Sequence, residues 1–427
     1  MNVPTYTPAQ KAEIDRRNFL VNVAEGALFI SSGAFINAQT VLPALISRLG
    51  GNNLVIGMFG VVVYFGLFLP QIFSARHVET IAWKKRWVFR IGLIHRIMVF
   101  VMGLVVLIWG ADNPTAALWL FLFVFTVMQV IIGIATPGWF EMYAKLTPSK
   151  RRGRLAGLRT SVGGVGAFIC GLILTWLLAV FPFPIGFGVA LFAAFVLQMS
   201  SLFSQHWLIE AEPSITTTRR PFFAFVRELP DVVRNNPPFR EFIVSSALLT
   251  IAAMPVGFFT VYALKEFNAG GEIVGEFTLT MVAAQVVSAV VNGVLSDRRG
   301  NKLVLLVAGA SLLLASLTAF LSPTLGWFRL VYVFLGVNLG TEMATRYNIA
   351  IEYCAPRQRS TYIGLMNTML APWYFSAMVG GVLSQLFGFG ALFLTSALFS
   401  VAGLLYLYYR VVDPRTLSLA RGGVAGG

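Results

Sequence analysis

The chain has 427 residues, of which 57% are hydrophobic and 12% charged, and it carries a formal charge of +14. A mean hydropathy of +0.76 lies outside the range of soluble domains and makes lipid the solvent for most of the chain. The positive charge does not indicate a nucleic-acid binder, because the basic residues fall in short gaps between apolar runs and form no accessible basic face.

A polar leader, residues 1–18, precedes the first apolar run, Phe19 to Ile46. That run is longer than a signal-peptide core and has no convincing cleavage site, so it is read as a retained first helix. A helix needs about 20 mainly apolar residues to cross the hydrocarbon, where its backbone groups find no water. Five more segments of the first half meet that test: Leu54 to Phe73, Val88 to Gly110, Ala116 to Leu146, Leu155 to Phe181 and Pro184 to Phe203. The second half supplies Phe242 to Leu264, Glu276 to Leu295, Leu303 to Leu321, Trp327 to Ala355, Thr361 to Phe387 and Ala391 to Val411. The expected fold class is an all-α integral membrane protein with twelve transmembrane helices in two pseudo-symmetric six-helix bundles.

The longest polar interval divides the spans six and six. The domains are thus a leader (1–18), an N-terminal bundle (19–203), a linker (204–241), a C-terminal bundle (242–411) and a tail (412–427). Within the linker, Pro221 to Val233 alternates phenylalanines with charges and suits a short helix lying on the membrane. Twelve spans sort 26 of the 32 basic residues to one side and three (Arg48, Lys265, Arg329) to the other. Lysine and arginine are retained on the cytoplasmic side during insertion, so both termini are expected in the cytoplasm, with the chain in the inner membrane.

The segment from Gly293 through Asp297, Arg298 and Gly300 to Lys302 lies between spans eight and nine. It resembles, almost position for position, the loop signature G-x-L-x-D-R-x-G-x-[RK] of the major facilitator superfamily of transporters. The resemblance implies the fold of that superfamily, a bacterial-type secondary transporter, and a latch built from Gly293, Asp297, Arg298, Gly300 and Lys302. In it an aspartate would face a helix N-terminus, here the start of span five at Gly153 to Leu155, and cations would pair across the bundles. The first-half equivalent departs from the pattern, with Ala75 where the aspartate should stand. The two halves also echo each other where Pro148 to Arg151 enters span five and Pro356 to Arg359 enters span eleven.

Ionisable groups inside the hydrocarbon cost at least ~2.5 kcal/mol each, so each needs a partner, water or a task. Glu25, Arg159, Glu342 and Arg346 are therefore the coupling or ion-pair candidates. Glu25 and Arg159 sit at similar depth, while Glu342 and Arg346 stand four apart on one helix and can neutralise each other. Glu25 is either a proton-coupling carboxylate, taking up a proton as its cation moves, or half of a permanent ion pair. Arg96, nearer the basic end, is expected to snorkel.

Pro137 with Gly138 in span four, Pro255 with Gly257 in span seven and Pro372 in span eleven are expected helix interruptions, where binding sites tend to form. Asn37, Trp139, Tyr347, Asn348, Trp373 and Tyr374 are the cavity candidates, suited to an amphiphilic solute. Cys170 and Cys354 have no ligand-like neighbours and His77, His95 and His206 are scattered, so neither a metal site, a cofactor nor an enzyme is indicated. The function expected is a secondary active transporter for a small organic solute, with protons a candidate coupling ion, acting as a monomer in the bilayer. The alternative is a non-transporting assembly factor or sensor on the same fold.

Overall fold

The computed structural model describes residues 6–214, 233–354 and 359–413, all helical or irregular, with no strand among them. The interfacial helix expected over residues 221–233 lies almost wholly outside them, as do most of the tail and residues 355–358. In the first half the helices are α1 (Pro8–Ser32), α2 (Val41–Arg48), α3 (Asn53–Glu79), α4 (Lys84–Trp109), α5 (Pro114–Leu146), α6 (Arg152–Val180) and α7 (Ile185–Ser204). In the second half they are α8 (Pro237–Ala252), α9 (Phe259–Glu266), α10 (Glu272–Arg299), α11 (Asn301–Leu321), α12 (Leu325–Leu339), α13 (Glu342–Glu352), α14 (Arg359–Leu370) and α15 (Ser376–Tyr409).

Local chemistry explains several helix starts. Thr7 and Gln10 form a reciprocal capping box with Pro8 at the first helical position, which starts the first helix well ahead of the apolar run. Asn113 and Asn236 each accept the N–H three residues on, again directly before a proline.

Twelve crossings result, although among the described residues only eight helices are long and apolar enough to cross uninterrupted, and one of these, Tyr362–Tyr409, holds two crossings separated at Gly388. Gly388 has φ 82°, a conformation open to glycine but strained for other residues. The remaining three crossings are broken helices: α1 with α2, α8 with α9, and α12 with α13. Irregular backbone at membrane depth is tolerated only where protein or water satisfies it. In the first break Asn37 Oδ1 accepts the N–H groups of Gln39 (2.9 Å) and Thr40 (3.1 Å). In the second, at Pro255 and Gly257, the Ser396 hydroxyl donates to the Ala252 carbonyl at 2.5 Å. The third, at Gly340 and Thr341, is closed by the Thr341 hydroxyl donating to Val337 at 2.7 Å.

Two expectations change here. Spans one and ten are not continuous helices, and Pro137 does not interrupt span four, because α5 runs through it unbroken. Pro372 instead lies in a 3-10 turn, Ala371–Phe375, ahead of α15.

The chain divides into two compact units: one of residues 1–50, 65–220 and 270–279, the other of residues 51–64, 221–269 and 280–427. The division thus falls within the linker, but the first part of α3 and the first part of α10 each belong to the unit of the opposite half. Close backbone contacts at glycines account for both exchanges. A Cβ at Gly57 would lie 2.5 Å from the Ala377 carbonyl, and one at Gly275 would lie 2.5 Å from Thr175 Cα.

Candidate functional site

In the first unit the site is built on α1. Asn18, Asn22 and Glu25 recur at helical spacing and are all buried. Glu25 Oε2 accepts from Arg159 Nη1 of α6 at 2.6 Å, and both side chains are less than one-tenth exposed. The same Nη1 donates to the Asn22 carbonyl at 2.8 Å. Gln205, just past α7, donates to Glu25 Oε1 at 3.1 Å, and the Ser201 hydroxyl donates to the Glu25 carbonyl at 2.9 Å. Both carboxylate oxygens are therefore held, as a buried charge requires.

The Arg159 guanidinium rests on an aromatic seat, 4.9 Å from the Trp139 ring centroid and 5.6 Å from that of Tyr143, which are themselves stacked at 5.3 Å. Trp139 enters the site as a support for the cation.

Arg96 does not snorkel. It is buried, donates to the carbonyls of Gln198 (3.3 Å) and Gly92 (3.2 Å), and lies 5.4 Å from the Phe29 ring, within electrostatic reach of Glu25. The buried His95 sits beside it, 6.5 Å from Phe29. Gln205, Ser201 and His95 escape sequence reasoning, since a lone glutamine or histidine carries no motif. The spacing of Asn18, Asn22 and Glu25 is the one available signal.

In the second unit Glu342 and Arg346 pair at 2.5 Å along α13. Arg346 also donates to the Thr250 hydroxyl (2.9 Å) and to the Ser246 carbonyl (3.2 Å), which fastens α13 to α8. Tyr374 is stacked on Tyr64 at 4.5 Å, and Tyr347 shares a side-chain hydrogen bond with Asn367. Asn348 and Trp373 are exposed, while Asn37 is committed to the turn in the first span.

Along the segment between α10 and α11, Gly300 has φ 94° and sets the turn. Lys302 donates to the Tyr408 carbonyl at 2.9 Å, and Asn301 donates to Glu352 at 2.7 Å, so the segment is tied to α15 and α13. Gly293 has open space where a Cβ would stand. Asp297 and Arg298 close α10. Among the described residues no group of His, Cys, Asp and Glu could hold a metal ion.

Twelve crossings, broken helices, buried ion pairs and two compact units are the architecture of a multi-pass membrane transporter. The model for the Major Facilitator Superfamily matches residues 26–375, and the chain belongs to that superfamily. Among solved structures it is similar to the nucleoside transporter NupG in mutant form, at 13% identity and TM-score 0.67 over 93% of this chain and 100% of that one. It is similar to a D-xylose–proton symporter at 14% identity and TM-score 0.68, covering 93% and 98%. It is also similar to a POT peptide transporter in complex with sulfate, at 13% identity and TM-score 0.69, covering 94% and 98%. At such identities the likeness is one of fold. No curated protein matches the chain.

Proposed function

We propose that the protein is a secondary transporter that carries a small organic solute across the cytoplasmic membrane by alternating access, with Glu25 as its proton-coupling carboxylate. The carrying observation is the buried Glu25–Arg159 pair, whose cation also has an aromatic seat on Trp139 and Tyr143. A guanidinium with two stabilising surroundings can shift from carboxylate to rings, and the carboxylate it leaves gains affinity for a proton. In this reading the basic end of the bundle, which holds Lys84, Lys145 and Arg152, faces the cytoplasm.

A thermal-shift screen of the detergent-purified protein against metabolites at two pH values identifies the solute. In liposomes, Glu25→Gln is then expected to abolish uptake driven by a pH gradient while sparing solute exchange. Unchanged pH dependence of uptake in that variant overturns the coupling role, and absence of any solute-dependent flux favours the assembly-factor or sensor reading.

A further inference from the structure

The first-half loop lacks an acid at Ala75, and α4, which follows that loop, begins without a side-chain cap or an acidic residue in its first turn. Its N-terminal N–H groups would be orphans against a first turn of Lys84, Lys85 and Arg86. The structure supplies the acid from elsewhere. Glu210, its side chain 5% exposed, accepts from the Lys84 N–H (2.9 Å) and the Lys85 N–H (3.0 Å), and pairs with Lys145 of α5 at 2.7 Å.

Glu210 is one fastening of a longer run. Arg17 donates to the Trp207 carbonyl at 3.0 Å, and Lys85 Nζ donates to the carbonyls of His206 (2.7 Å) and Leu208 (2.6 Å). The Asn18 side chain exchanges two hydrogen bonds with the backbone of Ile209, at 2.8 and 2.9 Å. The Ser214 N–H donates to the Ala82 carbonyl at 2.8 Å. Leu208 is buried among Val88, Met142 and Leu146, a cluster against which Trp139 packs. The run begins at Gln205, which holds Glu25. Every one of these partners lies in the first unit.

We propose that Gln205–Ser214 is a fixed strap that positions the Glu25–Arg159 pair, with Glu210 anchoring it to the uncapped start of α4 and to α5. Gln205 holds the carboxylate directly, Leu208 supports the ring under the guanidinium, and Glu210 keeps both in register with α4 and α5. The strap moves with its unit. Its consequence for transport rests on Glu25 being the coupling group, whereas the positioning itself does not.

The test needs no solute. Dicyclohexylcarbodiimide, an apolar reagent for carboxyl groups, is applied to the purified full chain and the adducts on Glu25 and Glu342 are quantified by peptide mass spectrometry. Gln205→Ala and Glu210→Gln are each expected to raise labelling of Glu25 about fivefold, the population change that loss of one hydrogen bond brings, and to leave Glu342 unchanged. Glu210→Asp is expected to restore the wild-type value. A second arm joins Ala82→Cys to Ser214→Cys after both native cysteines are replaced by alanine. The disulfide is expected to form and to return Glu25 labelling to the wild-type value in the Glu210→Gln background. Wild-type labelling of Glu25 in the single variants, an equal rise at Glu342, or failure of the crosslink to form or to rescue overturns the proposal. If Glu25 proves not to couple transport, pH-driven uptake survives in Glu25→Gln while this labelling pattern stands.

Discussion

The guanidinium of Arg159 occupies the space that a side chain at Gly26 would need: a Cβ there would lie 2.3 Å from both Cζ and Nε. Gly26 is thus the reason an arginine from α6 can reach past α1 to Glu25. Alanine is the better helix former by about 0.5–1 kcal/mol, so propensity alone predicts that Gly26→Ala stabilises α1. We expect the opposite, a net loss of about 1–3 kcal/mol, because the flexible guanidinium is what must yield, leaving Glu25 and its seat. Denaturation of the purified variant decides the sign.

Removing one partner of a buried pair leaves an uncompensated charge, so Glu25→Leu and Arg159→Leu are each expected to cost about 3–5 kcal/mol. The double variant is expected to be more stable than the sum of the two by about 1 kcal/mol or more. Additive losses in that cycle would mean that the 2.6 Å contact carries no coupling energy.

Glycines of one chain carry different loads. A Cβ at Gly336 would meet the Met281 carbonyl at 2.3 Å, whereas one at Gly293 would meet nothing. Gly336→Ala is expected to destabilise the protein by about 2 kcal/mol, since a carbonyl on a packed helix cannot yield as a side chain can. Gly293→Ala is expected to stay within about 0.5 kcal/mol of wild type. Loss of transport in the stable Gly293→Ala variant would assign that glycine to a conformation other than this one.

Lys11 and Glu212 pair at 2.9 Å on the surface, their hydrogen bond and mutual attraction raising the lysine pKa and lowering that of the acid. A depressed acid stabilises the fold above its ordinary value of 4.5 and loses that contribution as pH falls through the folded pKa. A raised lysine stabilises below 10.5 and loses its contribution as pH rises through its folded value. Between those limits the pair is pH-independent, and its exposure makes it salt-screened and weak. Lys11→Met is therefore expected to leave the melting temperature unchanged from pH 6 to 8. In contrast, Glu210→Gln, which uncouples a buried anchor, is expected to lower it by several degrees.

Much of the architecture was legible in the sequence. Span lengths and the glycine at Gly300 within the loop signature are local properties, readable from apolar runs and from a residue with special backbone freedom. The helix breaks were legible only in part. Pro255 with Gly257 marks one, but the break near Asn37 has no proline, and Pro137 lies in an unbroken helix. A proline removes one donor, and whether the helix parts there depends on what packs around the freed carbonyl.

The candidate site divides along the same line. Glu342 and Arg346 are four apart, so the helical period alone pairs them. Glu25 and Arg159 are separated by 134 residues, and Glu210 and Lys84 by 126. The sequence by itself determined that a carboxylate and a guanidinium lie inside the membrane and need partners, because a charge within an apolar span is costly whatever its neighbours in the chain. Only the tertiary structure decided which partners they have, that Arg96 turns inward, and that the acid capping α4 comes from beyond α7, at Glu210. Those choices depend on which helix faces meet, and a hydrogen bond of about 3 Å is set by packing that no local pattern encodes.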